Sequence, residues 1–242
     1  MKKLLQELLV EKKIAGSIKE AQALIMSGNV IINDHRIDKP STKVSLDSTI
    51  RIRGKSHNYV SRGGLKLEHA IKTWGGPIKN SICLDVGAST GGFTEVLLNH
   101  GAKKVYAVDV GYGQLAEILR NDSRVVSLER THILDLSKTT FETQPSIAVI
   151  DVSFISLERI LAHIVNLLAK NARIFALIKP QFEVDKKYLN LGIVKDEKIR
   201  NLAVEKIINL AKDLKLNILG VEKSPILGAK GNVEFLLALE KL

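Results

Sequence analysis

The sequence predicts an α/β fold with a mostly parallel sheet, preceded by a small α+β module. Two observations predict the main fold: strand-sized apolar segments alternate with helical stretches after residue 60, and a glycine-rich turn joins one of these strands to a helix. A third observation predicts the module, because the first 60 residues hold 11 basic and 6 acidic side chains, which is half of the net charge of +10. We therefore expect domains at 1–55 and 61–242, joined by a linker at 56–60.

The module begins with two predicted helices. Leucines recur at helical spacing over residues 4–13, and one face would carry Leu4, Leu5, Leu8 and Leu9. Ser17 and Glu20 have the spacing of a capping box, which predicts a second helix that runs through Ile25 and stops at Gly28.

Strands are predicted next, at 29–33 and 49–53, with a turn at 34–35. The pattern A-x-x-L-I-x-x-G-x-V-x-[IV]-N, which spans residues 21–33, resembles that of the S4 RNA-binding domain. The resemblance implies an RNA partner that basic side chains hold by its phosphate groups without reading its bases. The implied contacts are Lys12, Lys13, Lys19, Arg36, Lys39 and Lys43, together with Arg62 in the following domain. A solvated lysine is the ordinary explanation for each alone, but their crowding onto one small module favours RNA.

Five strands of a parallel sheet are predicted in the larger domain, at 82–86, 104–108, 124–128, 146–151 and 172–178. Their alternation with helices implies right-handed crossovers and helices on both faces of the sheet. The stretches 217–222 and 232–239 have no helix between them, so we expect an antiparallel hairpin at the sheet edge.

The most informative segment is the glycine-rich turn after the strand at 82–86. Glycine lets the backbone approach a ligand closely, and a carboxylate about 20 residues further on can accept hydrogen bonds from both ribose hydroxyls. Asp109 has that position, which predicts a site for an adenosine derivative. Ser89 stands where a dinucleotide fingerprint needs its middle glycine, and no G-K-[ST] follows. Both NAD-dependent chemistry and a Walker loop are therefore excluded.

The pattern D-x-G-x-x-x-G-G-F at this turn resembles the first motif of class I S-adenosylmethionine-dependent methyltransferases. The resemblance implies a Rossmann-like, mostly parallel seven-stranded sheet and S-adenosylmethionine as cofactor, with Asp85 facing its methionine end and Asp109 its ribose. The other implied cofactor contacts are Gly87, Ser89, Thr90, Gly91, Gly92, Phe93 and His132. His132 and its neighbour Asp135 suit a loop cap equally well.

Four charged residues stand at the ends of predicted elements. Lys66 begins the first helix of the larger domain, Asp151 and Lys179 end strands, and Glu234 lies in the last predicted strand. They resemble the Lys-Asp-Lys-Glu tetrad of RNA ribose 2′-O-methyltransferases of the FtsJ/RrmJ type. Short segments around these residues, at 61–64, 151–157 and 178–183, resemble those of the TlyA family, as does the S4-like module in front. Members of that family are often labelled hemolysins.

The chemistry of such a site follows from its target. A ribose 2′-hydroxyl is a poor nucleophile, so in-line positioning and proton removal are the main tasks. A lysine acts as a base only when neutral, and burial together with a second ammonium nearby favours that form. We assign Lys179 as the general base, Lys66 as its electrostatic and substrate-orienting neighbour, and Asp151 as the carboxylate that orients Lys179. Glu234 would hold either the target hydroxyl or Lys66. A surface salt bridge is the alternative for each residue alone.

The resemblance implies methyl transfer to a ribose 2′-oxygen of ribosomal RNA, with cytidine as the target base. The expected partner is ribosomal RNA or a ribosomal subunit, and the oligomeric state is open. One alternative is a non-catalytic RNA-binding protein with a vestigial cofactor fold, and another is a membrane-lytic hemolysin. No basic amphipathic segment or hydrophobic hairpin supports lysis.

Composition indicates in which cellular compartment the protein acts. The longest apolar runs are strand-sized, and acidic and basic residues interrupt the signal-like start, so we expect a cytoplasmic protein without a membrane segment. The single cysteine, Cys83, lies in an apolar strand and is expected to be a small buried thiol. The six histidines lack metal-ligand spacing, so no metal is expected. Trp74 and Phe154 are expected to pack, whereas Phe182 could pack or stack on a flipped base.

Overall fold

The structure, a computed structural model, describes residues 2–12, 14–52 and 59–242. It divides into two compact units, Met1–Asn58 and Tyr59–Leu242. Lys13, Arg53 and positions 56–58 of the predicted linker lie outside the described residues.

The N-terminal unit combines two short helices with short antiparallel strands. Its elements are β1 (Lys2–Leu4), α1 (Leu5–Glu11), α2 (Ile18–Met26), β2 (Val30–Ile32), β3 (His35–Ile37), β4 (Lys43–Ser45) and β5 (Ile50–Ile52). Strand β2 lies between β3 and β5 in a three-stranded sheet, and β1 pairs with β4. The leucines of α1 pack with Ile25 and Val30 to form a separate core.

Local sequence signals predict most of the helices and strands of this unit correctly. The Ser17 hydroxyl accepts a hydrogen bond from the Glu20 backbone N–H at 3.2 Å, as the capping box predicts, and α2 ends before Gly28. The predicted helix at 4–13 is wrong at its start, because Leu4 pairs with Lys43 in a strand. The turn lies one residue earlier than predicted, since Asn33 and Asp34 both have positive φ.

The second unit is a seven-stranded sheet covered by helices. Its elements are α3 (Gly64–Trp74), β6 (Ile82–Val86), α4 (Gly92–Asn99), β7 (Lys104–Val108), α5 (Glu117–Arg120), β8 (Val125–Leu128), β9 (Ile147–Ile150), α6 (Leu157–Leu167), β10 (Arg173–Ile178), α7 (Pro180–Glu183), α8 (Glu197–Asp213), β11 (Leu216–Lys223) and β12 (Phe235–Lys241). The strand order is β11-β12-β10-β9-β6-β7-β8, in which β12 is antiparallel to both neighbours. The α/β fold and the C-terminal hairpin are confirmed.

Strand residues alternate between two apolar layers. Leu84 and Ile150 point to the layer that contains α6 and α8, whereas Cys83 and Val149 point to the layer that contains α3 and α4. Cys83 is fully buried, as predicted, and burial raises the pKa of its thiol to about 12. Trp74 is only partly buried at the margin of the second layer.

The strand order reverses between β6 and β9. From β6 the chain runs outward through β7 to β8, and it then returns to place β9 on the other side of β6. Ligands of open α/β sheets bind beyond the carboxyl ends of the strands at such a point. The fold therefore predicts a ligand site at the segments after β6, β7, β9 and β10.

Candidate active site

The structure brings the four residues of the predicted tetrad together. Lys66 Nζ lies 2.6 Å from an oxygen of Glu234 and 3.9 Å from Oδ2 of Asp151. Lys179 Nζ lies 2.6 Å from Oδ1 of Asp151. Asp151 therefore stands between the two ammonium groups, and Glu234 pairs with Lys66.

The tetrad is largely shielded from water and balanced in formal charge. Lys66, Lys179 and Glu234 are 7%, 9% and 2% exposed. A buried ammonium or carboxylate is costly unless a partner compensates it, and here two of each sign are interleaved. Removing one member would leave the others with an uncompensated charge.

Each tetrad residue is positioned by a different element. Lys66 is in the first turn of α3, Asp151 follows β9, and Lys179 follows β10. Glu234 precedes β12 rather than lying within it as predicted, because the chain turns between Gly228 and Asn232 before the strand begins. Since Ile178 pairs with Phe235 across β10 and β12, Lys179 and Glu234 emerge at the same edge of the sheet.

A cleft of about 610 Å³ opens at this edge and reaches Asp151. Its volume is within the usual range for small-molecule sites, about 300 to 1,000 Å³. Four of the predicted cofactor contacts line it, namely Gly87, Ser89, Asp109 and His132. The cleft also contains Ser153, Phe154 and Arg159, which the sequence analysis did not assign to the cofactor site.

Asp109 organises the loops around the cleft. Its Oδ2 accepts a hydrogen bond from the Ser89 backbone N–H at 2.8 Å, and its Oδ1 accepts one from Gly111 at 2.7 Å. An ionised carboxylate has about four acceptor positions, so two remain for a ligand. The position suits a ribose diol.

Packing within the protein itself requires glycine at two positions of the turn. A side chain at Gly87 would meet the Asp151 carbonyl oxygen at 2.5 Å, and at Gly92 it would overlap with the Ser61 hydroxyl. Gly87 also has a φ of +84°. Neighbouring protein segments therefore occupy the space beside these two glycines, which makes close approach of a ligand unnecessary to explain them.

Comparison with protein families agrees with this geometry. The family described as FtsJ-like methyltransferase matches residues 59–241, and the S4 domain matches residues 4–50. The 16S/23S rRNA (cytidine-2′-O)-methyltransferase TlyA of Mycobacterium tuberculosis is 42% identical over 233 residues, which cover 96% of this chain and 87% of that protein. The chain belongs to the TlyA family of FtsJ-like methyltransferases.

Other relatives are similar in sequence or in fold. Hemolysin A of Brachyspira hyodysenteriae is 44% identical over 227 residues, which cover 91% of this chain and 92% of that protein. A solved structure described as a hemolysin from Streptococcus thermophilus has a TM-score of 0.78 and 40% identity, and the match covers 99% of this chain and 88% of that chain. A Burkholderia thailandensis N-methyltransferase, at 18% identity and a TM-score of 0.52 over 75% of this chain and 78% of its own, shares the fold alone.

Membership of this methyltransferase family confirms S-adenosylmethionine as the cofactor. The residues present fit such a group, and Asp85 gives the clearest sign. Its Oδ2 accepts a hydrogen bond from the Thr94 hydroxyl at 2.6 Å, but its Oδ1 is buried without a hydrogen-bond partner among the residues that the structure describes. Burial raises the pKa of this carboxyl to about 7. A cationic group nearby would compensate the unpartnered oxygen.

The rest of the predicted cofactor set is placed differently. Asp85 is fully buried beneath the turn and does not line the cleft. Thr90, Gly91, Gly92 and Phe93 do not line it either, and Phe93 packs in the core. Gly91 and Gly92 instead lie against neighbouring segments of the protein, around Leu119 and Ser61 respectively. Adjacent positions of the motif are equivalent in the sequence pattern, whereas a turn presents only some of them to the ligand.

His132 caps a loop and also lies at the cleft. Its Nδ1 accepts a hydrogen bond from the Leu134 backbone N–H at 3.2 Å, which caps a short turn of helix, and its side chain lines the cleft. Asp135 lies outside the cleft lining.

The expectation that Phe154 packs is wrong. Its side chain is 92% exposed at the cleft, with its ring centroid 5.3 Å from that of Phe182. Phe154 also has a φ of +66°, which is uncommon for a bulky residue. Phe154 lies in the short segment that follows Asp151, and this closeness to the tetrad could have predicted that it belongs to the site.

The predicted RNA contacts of the S4-like unit are exposed. Lys12, Lys19, Arg36, Lys39 and Lys43 all lie at the surface, as does Arg62 in the second unit. Within 2–12, 14–52 and 59–242, none of these six forms an ion pair with an acidic side chain. Lys13 lies outside the described residues. Uncompensated cations at the surface suit a polyanion.

Two absences apply to the described part of the chain. No helix in it has the length and apolar character that crossing a membrane requires. Nor do three His, Cys, Asp or Glu side chains of those residues form a group that could hold a metal ion.

Proposed function

We propose that this protein transfers the methyl group of S-adenosylmethionine to the ribose 2′-oxygen of a cytidine in ribosomal RNA. The observation that carries the proposal is the buried tetrad of Lys66, Asp151, Lys179 and Glu234 beside the cofactor cleft. The fold alone would not select a target, because one fold supports many methyl acceptors. The Mycobacterium tuberculosis relative, whose name specifies this reaction, supports the choice of cytidine and of ribosomal RNA.

The tetrad suggests how the protein residues act. The bound cofactor supplies a methyl group made electrophilic by the sulfonium. Lys179 removes the proton of the ribose 2′-hydroxyl, so that the oxygen can accept the methyl group that the cofactor would supply. Asp151 holds Lys179 in place, at 2.6 Å. Lys66 orients the hydroxyl, and the contact of Glu234 with Lys66 favours that role for Glu234 over direct binding of the hydroxyl.

The cofactor is held by the residues of the cleft. Asp109 accepts hydrogen bonds from the ribose hydroxyls, while Gly87, Ser89 and His132 form the walls around the nucleoside. Asp85 acts from below the turn, where its carboxylate favours the cationic methionine end. Thr90, Gly91, Gly92 and Phe93 contribute indirectly, because they shape the turn that carries the cofactor contacts.

The two units divide the work. Residues 1–55 bind RNA through phosphate contacts, residues 61–242 perform the transfer, and 56–60 link them. The expected substrate is ribosomal RNA, free or within a ribosomal subunit, and the expected setting is the cytoplasm. The exposed ring of Phe154 beside Phe182 favours stacking on a base that has left its helix.

Mapping of 2′-O-methylated nucleotides tests the proposal. Ribosomal RNA from cells with and without the gene is compared, and RNA from the deficient cells is then incubated with purified protein and S-adenosylmethionine. We expect a 2′-O-methylcytidine that is lost with the gene and restored by the protein. Methylation of a base nitrogen or carbon, or cofactor binding without transfer, would contradict the proposal. The second outcome would favour the vestigial RNA-binding alternative.

A further inference from the structure

A serine hydroxyl beside the tetrad has no assigned role. Ser153 lines the cleft two residues after Asp151. Its Oγ accepts a hydrogen bond from Lys179 Nζ at 3.0 Å. Both groups that hold the Lys179 ammonium therefore belong to the segment that follows β9.

The two contacts of Lys179 differ in kind. Asp151 Oδ1 lies 2.6 Å from Nζ, yet this oxygen lacks a hydrogen-bond partner with suitable geometry among the described residues. Coulomb attraction depends on separation and leaves the rotation of an amine about its last carbon–nitrogen bond free. A hydrogen bond weakens steeply when it bends, so the bond to Ser153 selects a rotation.

The segment that carries Ser153 is anchored at both ends. The Asp151 backbone N–H donates to the Val86 carbonyl at 2.9 Å. At the other end, Glu183 accepts hydrogen bonds from the Ser156 hydroxyl and from the Leu157 backbone N–H, the latter at 2.9 Å. Phe154, between these anchors, has a φ of +66°, a conformation that persists only when its surroundings impose it. Ser153 is therefore presented at a fixed place.

We propose that Ser153 is a positioning residue that sets the direction in which Lys179 presents its lone pair to the target hydroxyl. The proposal rests on the proposed function. A neutral amine has two N–H groups and one lone pair. With one N–H hydrogen-bonded to Ser153, rotation about the last carbon–nitrogen bond is restricted. The lone pair turns away from the negative Asp151 carboxylate and remains for the proton of the ribose hydroxyl. The transferred proton becomes the third N–H, and the methyl transfer itself is unchanged.

The charged groups that face Lys179 come from several elements. They are Asp151 after β9, Lys66 on α3 and Glu234 before β12, and the Phe182 ring lies 6.0 Å from Nζ. None of these is altered when only the hydroxyl of Ser153 is removed. A change in the behaviour of Lys179 in such a variant therefore reports on the hydroxyl.

The test compares Ser153→Ala, Ser153→Thr and the matched control Ser127→Ala, a substitution at an exposed serine in β8. Single-turnover methyl transfer to ribosomal RNA is measured across pH, and cofactor affinity is measured by calorimetry. We expect Ser153→Ala to lower the rate constant about 10-fold, because small errors of position cost rates of this order or more. Its rate profile should move to lower pH, since an acceptor that stabilises the ammonium is lost. Ser153→Thr should restore both, with cofactor affinity unchanged throughout.

A second measurement does not depend on RNA. The carbon-13 signal of the Lys179 Cε, assigned by its loss in Lys179→Arg, is followed across pH in wild type, Ser153→Ala and Ser127→Ala. We expect its titration to shift to lower pH in Ser153→Ala alone. An unshifted signal, an unchanged rate profile, or a loss explained by weaker cofactor binding would overturn the role of Ser153. A wild-type protein that transfers no methyl group would instead overturn the proposed function, and the carbon-13 comparison would still decide the contact.

Discussion

Two charged regions of this molecule both contain lysines but place them in opposite environments. In the tetrad, Lys66 and Lys179 are buried and lie within 4 Å of a carboxylate. In the N-terminal unit, Lys39 and Lys43 are exposed, and in the described part of the chain neither forms an ion pair. The paired lysines have one defined geometry, whereas the unpaired ones keep their rotamer freedom.

The difference shows what each kind of charge can do. Proton transfer needs a group held within hydrogen-bond reach of a specific atom, so a buried and compensated lysine suits it. Binding a phosphate backbone needs only cations at the surface, because releasing counterions supplies the free energy. Substitutions should therefore affect rate in the first region and salt dependence in the second.

The largest effect is expected at Lys179. Lys179→Ala should reduce methyl transfer by about 10²- to 10⁴-fold, the usual contribution of general acid–base catalysis, with affinities for cofactor and RNA nearly unchanged. Lys179→Arg should fail as well, since a guanidinium keeps its charge but does not lose a proton in a protein. Incorporation of tritiated methyl groups into ribosomal RNA measures both variants.

The arginine variant sharpens the comparison between the two regions. If Lys179→Arg kept a nearly wild-type rate, Lys179 would act through its positive charge alone, as the exposed lysines do. The base would then be another tetrad member or solvent. Thermal unfolding of the variants is the control that the buried charge network remains folded.

The second largest effect is expected at Asp109. Asp109→Ala should weaken binding of S-adenosylmethionine about 10- to 100-fold, because hydrogen bonds to a charged group contribute about 1.5 to 3 kcal/mol. Calorimetry measures the affinity, with Asp213→Ala, at the exposed end of α8, as the matched control. Unchanged affinity in Asp109→Ala would remove Asp109 from the cofactor site and reduce its role to the hydrogen bonds with Ser89 and Gly111.

A smaller effect is expected from the exposed lysines of the N-terminal unit. The double variant Lys39→Ala/Lys43→Ala should bind RNA about 10-fold more weakly and lower the slope of log affinity against log salt by about 1 to 2, with cofactor affinity unchanged. Filter binding across a salt series measures both quantities.

Its matched control is Lys103→Ala/Lys212→Ala, which removes the same charge. Lys103 immediately precedes β7 and Lys212 lies near the end of α8, so both are at the amino-terminal edge of the sheet, away from the cleft. Equal slopes for the two double variants would show that RNA affinity follows net charge alone and that the N-terminal unit has no special part in it.

The last effect is on stability, at Asp85, and not on rate or RNA affinity. Its pKa, about 7 in the folded protein, lies above the ordinary value of 3.8, so the folded state binds more protons between these values. Stability from this group is complete below pH 4 and is lost as pH rises toward 7. The free energy of unfolding of wild type should therefore fall relative to Asp85→Asn by on the order of 1 kcal/mol per pH unit between pH 5 and 7, and level off above.

Urea unfolding of both proteins from pH 5 to 8 measures this difference. A difference that stays constant with pH would show that Asp85 is ionised throughout, as the exposed carboxylates are. Adding S-adenosylmethionine should reduce the slope, because a cation near the unpartnered oxygen favours the ionised form.

Local patterns were enough to predict most of the fold. The strands at 82–86 and 104–108 are observed as predicted, and the Ser17 cap places the start of α2 correctly. The helix predicted at 4–13 failed at Leu4 because strand pairing with Lys43 replaces the local preference. The final strand begins later than predicted, because the turn that ends at Asn232 takes up its first residues.

Within the site, the sequence by itself determined which charged residues end the strands and which family the chain resembles. Only the tertiary structure decided their pairing, since Lys66 and Glu234 are 168 residues apart in sequence yet share a hydrogen bond. It also decided that protein segments fill the space beside Gly87 and Gly92, that Phe154 is exposed, and that Ser153 contacts Lys179. The physical reason is range: caps, periods and turn residues act over a few positions, whereas burial and long-range contacts exist only once the chain has folded.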